Sequence, residues 1–231
     1  MIVIQGKGVS TGVAIGPLYF YQRAKADVTR HEIADTEAEW ARFKAAQGKA
    51  IEQLGELAEK ARAEAGDEAA LLFETHQMMA EDMEFEEAIQ TAIQDTKINA
   101  EAAVTDTAAQ FAEMFASMDD PYFQARSADV KDVSNRIIAA LTGAVQGGID
   151  SPVPVILAAD DLAPSETVQL DKSKILGFIT EGGSGSSHTA ILARTMGIPA
   201  IIGVGDQVKP EYAGKEVIID GSTGNVTIEA D

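Results

Sequence analysis

The 231-residue sequence holds three histidines and no cysteine, and one histidine stands in a setting of glycine and serine. In the stretch EGGSGSSHTAILAR, residues 181–194, His188 follows a flexible loop and precedes an apolar, helix-like run. Ser186 or Ser187 can cap a helix that starts there, which puts the imidazole among unpaired backbone N–H groups at the positive end of the helix dipole. Such a place disfavours a protonated ring and leaves a neutral nucleophile at pH 7. The same N–H groups favour an anion, and glycines let the backbone come close to it, so a phosphoryl group on His188 would be stabilised where it sits. A capping or merely hydrogen-bonded histidine is the plain alternative. Other chemistries lack their residues. A Walker-type phosphate loop needs Gly-Lys-Ser/Thr, which does not occur. A dinucleotide fingerprint through Gly183 and Gly185 wants glycine where His188 stands, with Asp206 about twenty residues on. His31, His76 and His188 have no metal-ligand spacing, so no metal is expected. Thiolate chemistry and disulfides are excluded outright.

The elements that must hold this loop follow from the pattern around it. After Asp150, residues 153–158, 175–180, 199–204, 217–220 and 226–229 read as strands, with helices between them at 165–170 and 189–196. Residues 1–22 add a strand-like start (Ile2, Val3, Ile4), glycines at 6, 8, 12 and 16, and a second β-rich run at 18–21. So short a β segment makes no stable sheet alone. It is expected to join the C-terminal sheet, with whatever lies between inserted.

Residues 30–145 are helical in pattern. Thr36 and Glu39 can form a capping box, and Trp40, Phe43, Gln47, Ile51, Leu54, Leu57 and Ala61 recur on one face behind it. Gly66-Asp67 breaks that helix, and residues 68–93 read as a second, kinked one. Asn99 can cap a third, lined by Val104, Ala108, Phe111, Phe115 and Met118. Asp120-Pro121 opens a fourth, lined by Phe123, Val130, Val133, Ile137 and Leu141, that stops near Gly147-Gly148. Four antiparallel helices with short links make a hairpin bundle.

A net charge of −19 argues against nucleic acid or an anionic membrane as partner, since both reward Lys and Arg. It suits a basic protein partner, or serves solubility alone. No window has the eighteen or so apolar residues of a membrane span. The N-terminal MIVIQGKGVSTG lacks the basic start and apolar core of a signal peptide. A cytoplasmic location is expected.

The run GGSGSSHTAILARTMGIPAIIG resembles the phosphohistidine signature of enzymes that use phosphoenolpyruvate through a mobile, swivelling domain. Beyond it, MIVIQGKGVSTGVAIGPLYFY, FETHQMMAEDMEFEEAI, RSADVKDVSNRI and LAADDLAPSETVQLDKSKILGFITEGG are similar to successive segments of the enzyme I family of the bacterial sugar phosphotransferase system. The resemblance implies an α/β plus α fold: a discontinuous swivelling phosphohistidine domain over residues 1–28 and 146–231, with a helical HPr-binding domain inserted at 29–145. It implies that His188 takes a phosphoryl group from phosphoenolpyruvate and passes it to the phosphocarrier protein HPr. Thr167, in PSET, matches a threonine that hydrogen-bonds the active ring, though it can equally cap its own short helix. Ser187 and Thr189 flank His188 and can donate to phosphoryl oxygens.

Two departures stand out. Enzyme I commonly shows GGRTSH, and Gly185 stands where the basic residue would be; a lysine of the second helix in some members is here Ala69 or a neighbour. The barrel that binds phosphoenolpyruvate and magnesium has no counterpart before the chain stops at Asp231. An excised portion or a short relative is therefore expected, without a cofactor of its own and monomeric, since the family dimerises through the other part.

The resemblance also implies a docking surface. Residues 64–87 carry nine acidic side chains and no Lys or Arg. Glu68, Asp82 and Glu84 then form an acidic rim, and Leu71, Leu72, His76, Met78, Met79 and Phe85 supply apolar contacts, with Phe123 and Arg126 from the fourth helix. His76 reads as a contact rather than a second phosphoryl acceptor. A binding or regulatory module that kept the fold is the alternative to a phosphotransferase.

Overall fold

Strand pairing brings the first twenty residues and the last eighty together. A computed structural model describes residues 1–23, 26–144, 148–183, 185 and 187–229, without the side chains of Ala65 and Ala125. The chain divides into two units, Met1–Arg23 with Gly147–Asp231, and Ala24–Gln146.

In the first unit the strands are β1 (Ile2–Gln5), β2 (Lys7–Ser10), β3 (Val13–Phe20), β4 (Val155–Ala159), β5 (Ile175–Thr180), β6 (Ala200–Ile202), β7 (Glu216–Asp220) and β8 (Asn225–Ile228). Their order is β1-β8-β7-β3-β4-β5-β6-β2. As expected, the N-terminal segment enters the C-terminal sheet: β1 runs antiparallel to β8, β2 antiparallel to β6, and β3 joins antiparallel β7 to parallel β4. The β4, β5 and β6 run is parallel, and parallel strands are buried on both faces. Ile156, Ala158 and Ile179 face a core shared with Val217, Ile219 and Val226. Leu157 and Phe178 face the other way, onto Leu162, Leu170 and Ala193. Those residues belong to the segments around α6 (Pro164–Gln169) and α7 (His188–Met196).

Two glycines in this unit are dictated by contact. A Cβ on Gly8 would lie 1.9 Å from Gly221 O, and one on Gly221 would lie 1.9 Å from Ser10 O. Backbone presses on backbone there, and no side chain can give way.

The second unit has five helices among the described residues, not four: α1 (Thr36–Ala65), α2 (Asp67–Ala80), α3 (Met83–Thr96), α4 (Ala100–Ala116) and α5 (Pro121–Thr142). The expected kinked second helix is two. α2 ends at Glu81, and the Asp82 carboxylate accepts the Phe85 N–H at 2.9 Å to start α3. The first cap is Asp35 rather than Thr36, accepting the Ala38 N–H at 2.9 Å. Glu39 instead takes the Ala100 N–H at 2.6 Å, tying α1 to the start of α4. Asn99 holds the N-cap position of α4, but its side chain bonds His31 N and Thr29 O. Asp120 caps α5 by accepting the Tyr122 N–H at 2.8 Å. That helix stops at Thr142, short of Gly147-Gly148, because Gly143 turns left-handed with φ 69°. Phe43, Leu54, Phe73, Ile89, Ile93 and Ile137 are fully buried.

Two glycine substitutions should move stability in opposite directions. Gly221→Ala must displace backbone and should cost about 1–3 kcal/mol or more. Gly48→Ala, inside α1 with nothing within 4 Å of the added Cβ, should stabilise by roughly 0.5–1 kcal/mol. Urea unfolding followed through sheet and helix amides separately reads both.

Candidate functional site

His188 is the exposed first residue of α7, and the loop before it leaves the carboxyl end of β5. The base of that loop is stapled from two sides. Glu181 N–H and Gly182 N–H donate to Ala159 O and Asp160 O, both at 3.0 Å, from the exit of β4. Val204 N–H and Gly205 N–H donate to Thr180 O and Glu181 O at 3.2 and 3.0 Å, from the exit of β6. Gly183 then turns with φ 99°, a conformation that other residues rarely adopt. Of the two serines expected to cap α7, Ser187 does so, its Oγ accepting the Ala190 N–H at 3.3 Å; Ser186 lies outside the described residues. A cap that accepts keeps its own hydroxyl proton for another acceptor.

The other supporting residues are placed less simply. Thr189 is fully buried, and its Oγ1 has no hydrogen-bond partner among the described residues. It therefore cannot donate to a group at the surface while in this rotamer, which corrects the expectation from its position beside His188. Thr167, 5% exposed, donates to Pro164 O at 2.7 Å. That bond lies within α6, whose N-cap position is Ala163, so Thr167 braces its own short helix from inside without capping it. With its single proton engaged, its oxygen can meet another ring only as an acceptor.

Arg23, which sequence reasoning missed, holds α6 in place. Its Nε donates to Glu166 Oε1 at 2.5 Å, Nη2 to Glu166 Oε2 at 2.9 Å and Nη1 to Asp160 Oδ1 at 2.6 Å, and Nη2 also reaches Asp161 O. Glu166 in turn accepts the Ala163 N–H at 2.7 Å, closing the first turn of α6. The hydrogen bond to Glu166 outweighs partial burial and holds the guanidinium above its ordinary pKa. At Asp160 burial pushes upward, but the hydrogen bond and charge of Arg23 and the Asp161 N–H together outweigh it, so the carboxyl stays below its usual range. A lone basic residue at a strand end gives no local signal of partners so far along the chain. Arg194, on the last turn of α7, donates from Nη1 to Gly185 O at 2.9 Å and to Val9 O at 3.3 Å.

In the helical unit a groove of about 320 Å³ runs between helices. Met78, Met79, Asp82, Glu84 and Phe85 of the expected surface line it. Phe111, Met114 and Phe115 of α4 join them, as do Val130 and Val133 of α5; helical spacing had set Phe111 and Phe115 along one face of their helix. Met78 is 71% exposed, whereas Met79 packs against the cluster of Ala108, Ala112 and Val130. Phe85 is buried and forms a wall rather than a projecting anchor. Glu68, Leu71 and Phe123 are exposed, Leu72 and Arg126 half-buried, and none of these lines the groove.

His76 is corrected most. It is fully buried, so it presents no surface to a partner. Its Nε2 lies 3.2 Å from Asp129 Oδ1 and its Nδ1 3.7 Å from Asp132 Oδ2, both on α5. Asp129 also receives Arg126 Nη1 at 3.2 Å, and that guanidinium lies 4.8 Å from the Tyr122 ring. Burial pushes Asp129 up, but the His76 ring 3.2 Å away and the Arg126 guanidinium together hold its carboxyl below the usual range. A depressed carboxyl contributes stability above its unfolded pKa of about 3.9 and loses it as pH falls through the folded value. Asp129→Asn should therefore lower stability at neutral pH and flatten its decline below about pH 4, as measured by urea unfolding across pH 3–6.

Among the described residues no group of three or more His, Asp or Glu could hold a metal ion, and no helix is long and apolar enough to cross a membrane.

Known proteins resemble the chain along its whole length. A phosphoenolpyruvate-protein phosphotransferase of Priestia megaterium is 37% identical over 230 residues, covering 98% of this chain and 40% of that protein. The protein of the same name from Bacillus subtilis (strain 168) is 35% identical over 232 residues, again 98% of this chain and 40% of the relative. The chain thus spans about 40% of the length of these curated relatives. A solution NMR structure of Enzyme I superposes with a TM-score of 0.79 at 37% identity, covering 99% of this chain and 93% of that one. Residues 5–126 match the family described as PEP-utilising enzyme, N-terminal, and residues 151–224 match PEP-utilising enzyme, mobile domain. The chain belongs to the phosphoenolpyruvate-utilising enzymes.

Proposed function

We propose that this chain is the phosphohistidine and carrier-docking portion of a phosphoenolpyruvate-protein phosphotransferase. His188 carries the phosphoryl group, the helical unit docks HPr, and the α/β unit swivels between that carrier and a phosphoenolpyruvate-binding domain. The observation that carries this reading is His188 as the exposed first residue of a capped helix, behind a loop stapled to β4 and β6. A nucleophile needs exposure, and its phosphoryl anion is stabilised by the N–H groups and dipole of the helix start.

The transfer is a displacement at phosphorus. The lone pair of a His188 ring nitrogen forms an N–P bond while the N–P bond of the phosphorylated carrier histidine breaks, its electron pair returning to the carrier's ring. Little covalent work is asked of the protein beyond alignment and charge stabilisation. Ser187 retains a proton to offer a phosphoryl oxygen, and Thr167 offers an acceptor to a ring N–H. Docking falls to the groove of α2, α3, α4 and α5, where Met78 and the phenyl rings give apolar contact and Asp82 and Glu84 an acidic rim. Such a rim favours a basic carrier and speeds encounter at low salt. Transfer from phosphoenolpyruvate itself needs a cluster of cations and metal-holding carboxylates. That cluster, with magnesium, is attributed to a further domain, in keeping with relatives two and a half times as long.

Incubated with phosphorylated HPr, the chain should gain one phosphoryl mass that is labile in acid and stable in base. His188→Ala should abolish the gain without changing the fold. Intact mass spectrometry reads both, and an adduct that survived in the variant would move the acceptor elsewhere. Phosphoenolpyruvate and magnesium alone should leave the chain unmodified.

Docking separates into rate and residence. Reversing Asp82 and Glu84 to Lys should slow HPr association roughly tenfold at low salt and flatten its salt dependence. Met78→Ala should instead raise the dissociation rate. Titrations with unchanged affinity for both variants would put the interface on another face.

A further inference from the structure

We infer that Arg194 is a positioning residue for phosphoryl transfer: its guanidinium pins the loop before His188 to the strand β2. The inference rests on the reading of His188 as the phosphoryl acceptor. Arg194 sits in the last turn of α7, six residues and about 9 Å of helix rise from His188. Side chains of a helix lean toward its N-terminus, so a long side chain from that turn runs back toward the loop. The two hydrogens of Nη1 are then both engaged, one by Gly185 O at 2.9 Å and one by Val9 O at 3.3 Å.

Each end of this bridge has a local reason. The ladder between β2 and β6 shifts register between Gly8 and Ser10. Val9 is the extra residue, and a bulge releases a backbone group from the ladder and re-aims it. The Val9 side chain stays packed against the core of Leu157, Phe178 and Ala193, so its carbonyl is a firm attachment point. At the other end, Gly185 lies between the stapled base of the loop and the Ser187 cap. It has no side chain with which to anchor itself, and glycine loses more conformational freedom on ordering than any other residue. Its carbonyl bond to Arg194 is the hydrogen bond recorded for it among the described residues. Without that bond, no hydrogen bond among the described residues holds Gly185. Misplacement of a reacting group by about 1 Å can cost up to a hundredfold in rate. Charge also helps: a guanidinium held at this carbonyl keeps a positive charge beside the loop, and its Nε–H and Nη2 donors are not used by the bridge.

The test is single-turnover transfer from phosphorylated HPr to wild type, Arg194→Met and Arg194→Lys, with amide hydrogen exchange at residues 185–189 in the unphosphorylated proteins. Arg194→Met keeps the stem and loses the donors. Its maximal transfer rate should fall about ten- to hundredfold, while the half-saturating HPr concentration changes less than twofold and loop amides exchange faster. Arg194→Lys, which can still donate to carbonyls, should recover part of the rate and stays informative should the Met variant fail to fold. A wild-type rate in Arg194→Met overturns the inference, whether or not the loop amides exchange faster. If wild type itself accepts no phosphoryl group, the reading of His188 fails, and hydrogen exchange still reports whether the arginine pins the loop.

Discussion

The parallel placement of β5 between β4 and β6 is the constraint on which the site depends. Parallel neighbours end together, so their exits lie side by side, and a loop leaving the middle strand can be stapled from both. That is how Glu181 and Gly182 come to bond the exit of β4 while Thr180 and Glu181 receive N–H groups from the exit of β6. A middle strand also lies between two layers of side chains, Ile179 in one and Phe178 in the other. The end of β5 is therefore as firm as any point in the sheet. Beyond that firm base, His188 stands on a helix whose start is fixed by the Ser187 cap.

Position 185 gains meaning in this frame. The enzyme I loop that this one resembles commonly has a basic residue there, and this chain has glycine. The cation that approaches the same stretch comes from the far end of the following helix, through Arg194. A side chain that reaches in from a helix is braced by that helix, while one carried on the loop would move with it. The arrangement places the charge on the helix and leaves the loop position to glycine.

How much of this was legible in the sequence depends on the range of each signal. The start of α7 was readable because a serine cap, preceding glycines and a following apolar run are all local. The strands after residue 150 were readable for the same reason, to within two residues at their ends. Arg23 was not, since its partner Asp160 lies 137 residues away and one arginine near a strand end is unremarkable. His76 misled because its segment is acid-rich and apolar by turns. Whether a residue on such a helix faces out depends on its rotation against α5, where Asp129 and Asp132 wait for it. Phe111 and Phe115 were legible only as sharing one helix face. Aromatics at helical spacing mark an apolar face, but not whether that face is covered, and here it lines a groove. Splitting the second helix at Asp82 needed only the cap itself, Asp followed by a helix-forming run, which a continuous hydrophobic pattern had masked.

The pairing of β1 with β8, with Ile2 opposite Ile228, has a consequence for how the chain assembles. Helices α1 to α5 make their contacts within one uninterrupted stretch, so that unit can form as soon as its own residues have been synthesised. The sheet cannot, because β3 waits for β4 and β7, and β1 waits for β8. Its first three strands must therefore emerge from the ribosome unpaired and remain so while the whole helical unit is made. Three of these waiting residues, Val3, Val13 and Ile15, keep more than half their surface exposed even in the finished fold. The interval between the emergence of β1 and that of β8 is when this protein is most open to pairing its edges wrongly.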